Sequence, residues 1–163
     1  MQLPDAEALC ADLVRQLRPH VTAETGMVGI HTGGAWLAER LHRELALALP
    51  LGMLDISFYR DDYRKSGLHK SVRASRIPFD VNGRHLLLVD DVLYTGRTVR
   101  AAMNELFDHG RPESIRLVAL VDRGERQLPI CAQYVGTSLT VPKGTMLRLD
   151  RDAAGRLALR LDT

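Results

Sequence analysis

Apolar and polar positions alternate along this chain with two different periods, one helical and one extended. Leu9, Leu13 and Leu17 recur at helical spacing and predict a first helix that opens at Pro4 and ends before Pro19. The further predicted elements are a strand at 26–30, a helix at 35–49, strands at 53–59 and 86–89, a helix after residue 98, a strand at 114–121 and short β-like pieces at 134–135 and 156–161. Strands that alternate with helices in this way predict an α/β fold with a mostly parallel sheet and helices on both faces.

Length and composition narrow the class of protein. The 163 residues predict one domain, residues 1–163, and 45% hydrophobic with 26% charged residues is ordinary for a globular chain. A net charge of +2 gives no general case for nucleic-acid binding, although 22 Lys and Arg residues could cluster on one face. The sequence shows neither an export signal nor an apolar run of membrane-spanning length, so a cytoplasmic protein without membrane contact is expected. The two cysteines, Cys10 and Cys131, are interpreted as reduced.

The segment from Val89 to Thr98 carries most of the functional information. An apolar strand leads into two adjacent carboxylates, Asp90 and Asp91, and a short run of small and hydroxylated residues then precedes a helix. Acids at the carboxyl end of a parallel strand face the crevice where open α/β sheets bind ligands. Backbone amides at the start of a helix suit a phosphate. A ribose 5-phosphate offers both chemistries at about this separation, whereas the glycine motifs of ATP and dinucleotide loops are absent from the sequence.

Residues 86–98 closely resemble the phosphoribosyl diphosphate (PRPP) signature of the type I phosphoribosyltransferases. By that resemblance, Asp90 and Asp91 bind the ribose hydroxyls, stabilise a cationic sugar and could hold the Mg2+ that arrives with PRPP. The residues that would hold the 5-phosphate are Tyr94, Thr95, Gly96, Arg97 and Thr98. The resemblance also implies a small β-rich hood over the base, mainly from residues 122–146.

The form Val-Asp-Asp-Val-Leu-Tyr-Thr-Gly-Arg-Thr is narrower than the general signature and looks like the PyrR group of that family, which are pyrimidine operon regulators with uracil phosphoribosyltransferase activity. The resemblance implies conversion of uracil and PRPP to UMP and diphosphate, and relatives form dimers and tetramers. Tyr94 stands where phosphoribosyltransferases for 6-oxopurines place an acid, which disfavours hypoxanthine and guanine.

Other loops complete the expected site. The family's pyrophosphate loop falls on Thr32, Gly33 and Gly34, and Gly33 departs from an arginine in the PyrR pattern. A cationic stretch at 60–76 corresponds to a mobile loop over PRPP, in which Arg60 is expected to act in catalysis and, with Asp61, in diphosphate binding. Base contacts are expected at Val92, Leu93, Asp122 and Arg123.

Three functions remain open. The first is the uracil enzyme, and the second is an RNA-binding attenuation regulator controlled by UMP, with weak or no catalysis. PyrR-type regulators carry an Arg- and His-rich first helix, whereas this chain offers only Arg15, Arg18 and His20 there, so RNA binding is doubtful. The third is a phosphoribosyltransferase for another base.

Overall fold

The computed structural model describes residues 1–57 and 75–163. Its first helix, α1 (Ala6–Leu17), begins where Asp5 accepts a hydrogen bond from the amide of Glu7 at 3.0 Å, as expected of an N-cap aspartate. The helix buries its apolar face, including Leu13 and Leu17, against the sheet. A short 3-10 helix, Arg18–His20, follows, and its Pro19 lacks the amide that would continue the α-helical hydrogen bonds, which explains why the regular helix stops there.

Within the part of the chain that the structure describes, the main sheet has five parallel strands. In chain order they are β1 (Gly26–Ile30), β2 (Gly52–Leu54), β3 (His85–Leu93), β4 (Ser114–Asp122) and β5 (Tyr134–Ser138), and their order in space is β2-β1-β3-β4-β5. Helix α2 (Gly33–Leu45) follows β1, and helix α3 (Arg97–His109) follows β3. Two further strands, β6 (Met146–Arg151) and β7 (Leu157–Asp162), form a small antiparallel sheet. The predicted fold class is therefore confirmed.

Strand β3 lies at the centre and is buried on both faces. Leu87 and Val89 pack with α1, α2 and the small sheet, whereas Leu86 and Leu88 pack with α3 on the opposite face. A continuous apolar run rather than an alternating one is what such a strand requires. The central position also brings the end of β3 next to the loops that follow β1 and β4.

An ion pair between Arg40 and Glu7 connects the small sheet to α1 and α2. Arg40 binds the Glu7 carboxylate and donates to the carbonyl of Gly155 at 3.1 Å, while the amide of Leu157 donates to Glu7 at 2.7 Å. The hydrogen bond from Arg40 lowers the pKa of Glu7, outweighing the burial that opposes ionisation. The junction joins α1, α2 and β7.

Several predicted boundaries were wrong. Helix α2 covers Gly33–Leu45 rather than 35–49, because Ala46 adopts a left-handed conformation with φ 51° that ends the helix early. Strand β3 extends to Leu93, so the two acids lie inside the strand and not after it. Helix α3 starts at Arg97, directly after the left-handed Gly96.

The predicted strand at 53–59 is observed only as Gly52–Leu54, and residues 58–74 lie outside the described residues. Residues 134–138 form β5 of the main sheet, and the small antiparallel sheet begins at Met146. The assignment of 122–146 to a hood stays a prediction. Among residues 1–57 and 75–163, no helix has both the length and the apolar character needed to cross a membrane.

Candidate active site

The two acids of the signature occupy the end of the central strand. Asp90 is buried, with 4% of its surface exposed, and Asp91 is half-buried. The Asp90 carboxylate accepts a hydrogen bond from the amide of Asp91 at 3.0 Å. Because β3 continues in register with β4 through Leu93, both acids stand on regular, well-supported backbone. They are therefore held by the sheet rather than by a loop.

The start of α2 lies directly against these acids. A Cβ atom added to Gly33 would lie 2.2 Å from Oδ2 of Asp91, and one added to Gly34 would lie 2.6 Å from the carbonyl oxygen of Val89. Only residues without side chains allow this approach at the observed geometry. The positive end of the α2 dipole consequently faces the two carboxylates. The same helix start would also favour an anionic ligand bound beside them.

Thr32 completes this turn. It precedes α2 as the N-cap residue, its side chain makes no capping hydrogen bond, and the peptide bond between His31 and Thr32 is cis. The amide of His31 donates to the carbonyl of Leu54 at 2.8 Å, which ties the turn to the end of β2. The structure places Gly33 and Gly34 against the two acids, and Thr32 directly precedes them in the same turn. Their role in diphosphate binding stays a prediction.

The loop before α3 depends on Gly96. Its φ of 92° is left-handed, and an added Cβ would lie 2.9 Å from Cγ1 of Ile130. Both the conformation and the close packing therefore require glycine. The hydroxyl of Thr95 accepts a hydrogen bond from the amide of Arg97 at 3.3 Å, and Thr98 lies half-buried in the first turn of α3. Tyr94 is exposed on the surface of this loop.

The carbonyl groups of this loop are bound from one side by the segment that follows β4. The carbonyl of Tyr94 accepts from Nη1 of Arg126 at 2.7 Å, and that of Thr95 accepts from the amides of Gln127 and Leu128 at 3.0 and 3.2 Å. The first amides of a helix have no partner within the helix. The carbonyls of Tyr94 and Thr95 are thus engaged by this segment, and the helix start that follows is of the kind that suits an anion.

Asp122 and Arg123 lie at the end of β4, and Arg123 lines a cavity of about 630 Å³ together with Tyr94, Lys143 and Thr145. The Arg123 guanidinium stacks on the Tyr94 ring at 3.9 Å and donates to the carbonyl of Thr145 at 3.2 Å. Stacking of this kind is a cation–π interaction. The cavity thus connects the loop before α3 with the segment that leads into β6.

The other predicted base contacts are Val92, Leu93 and Asp122, and they lie outside the lining of this cavity. Leu93 is buried in the α3-side core, and its carbonyl accepts from the amide of Arg123 at 3.0 Å. Val92 packs on the opposite core, and Asp122 binds Arg126 at 2.6 Å. None of these three side chains lines the cavity. Arg60 and Asp61 lie outside the described residues.

Arg126 is a residue that the sequence interpretation missed. It contacts Asp122 and the loop before α3, yet it belongs to a segment without periodicity, and the family resemblance gave it no role. The only available signal was the Asp-Arg-Gly run preceding it, which marks a turn after a strand.

The acids also fit a divalent cation that arrives with its ligand. Mg2+ is commonly held by one or two carboxylates together with waters and substrate phosphates, rather than by a full cage of protein groups. Asp90 and Asp91 supply carboxylates beside a stretch of bare backbone at Gly33 and Gly34. Within residues 1–57 and 75–163, no group of three or more His, Cys, Asp or Glu side chains forms a closed metal site.

Comparisons with known proteins agree on one family. The model of the phosphoribosyl transferase domain matches residues 2–144. The Bifunctional protein PyrR of Pseudomonas aeruginosa is 51% identical over 154 residues, covering 91% of this chain and 90% of that protein. The Bifunctional protein PyrR of Pseudomonas fluorescens is 44% identical over 164 residues, covering 98% of both.

Solved structures support the same fold. A hypoxanthine phosphoribosyltransferase from Staphylococcus aureus matches with a TM-score of 0.63 at 24% identity, covering 85% of this chain and 74% of that one. A hypoxanthine-guanine phosphoribosyltransferase from Bacillus anthracis matches with a TM-score of 0.66 at 20% identity, covering 86% and 84%. At these identities the likeness concerns the fold alone.

Proposed function

Because this chain belongs to the phosphoribosyl transferase domain family, and within it to the PyrR group, we propose that it transfers the 5-phosphoribosyl group of PRPP to uracil, yielding UMP and diphosphate. The observation that carries the proposal is the close approach of the α2 start to Asp90 and Asp91, on the strand that leads through one short loop into α3. The start of α2 suits a diphosphate and the start of α3 suits a 5-phosphate. The carboxylates of Asp90 and Asp91 suit the ribose hydroxyls.

The two acids would hold the ribose. Carboxylates accept hydrogen bonds from the 2- and 3-hydroxyls, which fixes the sugar relative to the base. As the bond from C1 to diphosphate breaks, positive charge develops on the sugar, and a fixed carboxylate stabilises it without reorganising. Asp91 is the stronger candidate for this electrostatic role, since Asp90 is buried and already accepts the amide of Asp91.

The two phosphate groups would bind at separate places. The 5-phosphate is assigned to Tyr94, Thr95, Gly96, Arg97 and Thr98, where the loop carbonyls are already engaged. The leaving diphosphate is assigned to Thr32, Gly33 and Gly34, together with Arg60 and Asp61. Gly33 contributes no cation, so the positive end of α2 and the basic stretch at 60–76 would offset the diphosphate charge.

Magnesium would be held by Asp90 and Asp91 with oxygens of PRPP. When bound, the ion neutralises charge on the leaving diphosphate. The base would enter from the side of Tyr94 and Arg123, whose stacked side chains form one wall of the cavity. A tyrosine at this position cannot replace the acid with which 6-oxopurine enzymes handle a purine nitrogen.

We expect uracil to be converted to its nucleotide when the protein is incubated with PRPP and Mg2+, and cytosine, hypoxanthine and guanine to be converted poorly. The products are separated by ion-exchange chromatography, and diphosphate release is measured in parallel. A heat-inactivated sample corrects for breakdown of PRPP. Preferred conversion of hypoxanthine or guanine would contradict the uracil assignment, and conversion of no base would contradict the proposed activity.

A second function, UMP-responsive RNA binding, is favoured by the word bifunctional in the names of relatives 44–51% identical to this chain. The side chains of α1 and its end give it little support. Arg15 pairs with Asp12 at 3.0 Å, and Arg18 donates to the carbonyl of Glu44 at 3.2 Å, so both cations are engaged within the protein.

As in other members of the group, a homo-oligomer is proposed, either a dimer or a tetramer.

We therefore expect weak or no specific retention of pyrimidine leader RNA in a filter-binding assay, with or without UMP. Retention is compared with a shuffled RNA of equal length and repeated at higher salt, because phosphate contacts alone weaken steeply as salt rises. Tight retention of the leader RNA that UMP increases would overturn this expectation and establish the regulatory function.

A further inference from the structure

We infer that Arg126 is a positioning residue for the 5-phosphate loop, acting through the backbone of Tyr94 and through Asp122. The inference rests on the proposed function, because it concerns the loop at which PRPP and UMP would be held by their 5-phosphate. Arg126 does not line the cavity beside Tyr94 and is assigned no contact with substrate.

The guanidinium of Arg126 binds three acceptors on three separate segments. Nη1 donates to the carbonyl of Tyr94 at 2.7 Å, Nε donates to the carbonyl of Ile130 at 2.9 Å, and Nη2 binds the carboxylate of Asp122 at 2.6 Å. These three acceptors belong to the loop before α3, to the segment that packs on Gly96 and to the end of β4. One guanidinium thus joins the loop to the central sheet.

The planar guanidinium explains why this position uses arginine. A guanidinium presents donors in a fixed fork and can hold three acceptors at once, whereas a lysine ammonium is a compact point charge on a flexible chain. Both partners of the ion pair are largely enclosed, with 23% of the Arg126 and 21% of the Asp122 side chain exposed. Burial raises the pKa of Asp122, but the hydrogen bonds from Arg126 and Gly124 outweigh it, so the pKa is lowered overall and the carboxylate stays charged.

The loop is held at separate points: the amides of Gln127 and Leu128 hold the carbonyl of Thr95, Arg123 stacks on the Tyr94 ring, and Arg126 holds the carbonyl of Tyr94. Tyr94 is exposed, and Gly96 adopts the left-handed conformation with no side chain of its own. Without Arg126 the carbonyl of Tyr94 loses its charged donor and can rotate toward the phosphate side. A carbonyl oxygen there would repel the phosphate that the amides of the next residues are expected to bind.

The test compares Arg126→Gln, Arg126→Lys and Asp122→Asn with the wild type in both directions of the reaction. We expect Arg126→Gln to raise the KM for PRPP and for UMP roughly tenfold or more, with kcat nearly unchanged, because the 5-phosphate is bound equally in the ground and transition states. The KM for diphosphate in the reverse reaction should stay at the wild-type value. Arg126→Lys should be intermediate, and Asp122→Asn should change the same two constants by less.

The matched control is Arg111→Gln, the same chemical change on an exposed residue beyond the far end of α3. A merely structural role for Arg126 would lower kcat by reducing the active fraction and would leave every KM unchanged, and that result would overturn the inference. So would a KM for diphosphate that rises as much as the KM for UMP. If Arg126→Gln does not fold, Arg126→Lys becomes the test variant. A wild-type KM for UMP in Arg126→Lys would contradict the positioning role of Arg126.

Binding of ribose 5-phosphate, measured by calorimetry, separates this inference from the proposed activity. If the wild type converts no base yet binds ribose 5-phosphate, the proposed function fails, and weaker binding by Arg126→Gln still supports the positioning role. Equal binding by the two proteins overturns that role. If the wild type itself does not bind ribose 5-phosphate, the loop is no phosphate site and the inference fails with it.

Discussion

Replacing Asp91 with asparagine is expected to lower kcat for PRPP-dependent nucleotide formation by about 100- to 1000-fold, the usual range for removal of one preorganised electrostatic group. Asparagine keeps the shape of the side chain but not its charge. The charge matters most when the sugar becomes cationic, so kcat and kcat/KM should fall together. Steady-state assays with uracil and with PRPP as the varied substrate measure both constants.

Asp108→Asn serves as the control for Asp91→Asn, because Asp108 is exposed in the last turn of α3 and far along the chain from the acids. Both variants should melt close to the wild type, since neither change opens a cavity. Unchanged uracil turnover in Asp91→Asn would remove the twin acids from the proposed mechanism.

The second large effect is expected from Gly96→Ala. An L residue held in a left-handed conformation costs roughly 1–2 kcal/mol, and crowding in a packed site costs roughly 1–3 kcal/mol more. The new methyl group would lie 2.9 and 3.0 Å from Cγ1 and Cβ of Ile130, so the loop or Ile130 must move. We expect the free energy of unfolding to fall by about 2–5 kcal/mol and the KM for PRPP to rise.

Gly83→Ala isolates the conformational part of that effect. Gly83 has a φ of 65°, and an added Cβ would meet nothing within 4 Å, so only backbone strain is introduced there. Urea unfolding of both variants measures the difference. If Gly96→Ala unfolds at the same urea concentration as Gly83→Ala and binds PRPP like the wild type, the contact with Ile130 is unimportant for the loop.

Periodicity was sufficient to predict the fold class because burial decides it. Leu86, Leu87 and Leu88 form an unbroken apolar run, and a strand covered on both faces is the structure that such a run favours. The ends of elements were harder to predict. Ala46 ends α2 in a left-handed conformation that alanine seldom adopts, so the early end of that helix leaves no mark in composition.

The site could be predicted where it is encoded locally. Asp90, Asp91 and the residues up to Thr98 are consecutive, and the structure places them together on the end of β3 and the start of α3. Individual side-chain contacts between distant segments were out of reach where no family motif covers them, since a single sequence does not show which residues meet. The interaction of Arg126 with the backbone of Tyr94 spans 32 positions and involves a carbonyl group that every residue possesses.

The contact between Gly33 and Asp91 couples two positions that seem unrelated in the linear sequence. At the observed geometry a side chain at 33 and the present rotamer of Asp91 exclude each other, since a Cβ would lie 2.2 Å from Oδ2. A lineage that acquires the arginine typical of the PyrR pattern must therefore also repack the aspartate. Substitutions at position 33, whether natural or engineered, should accordingly be assessed together with the rotamer of Asp91.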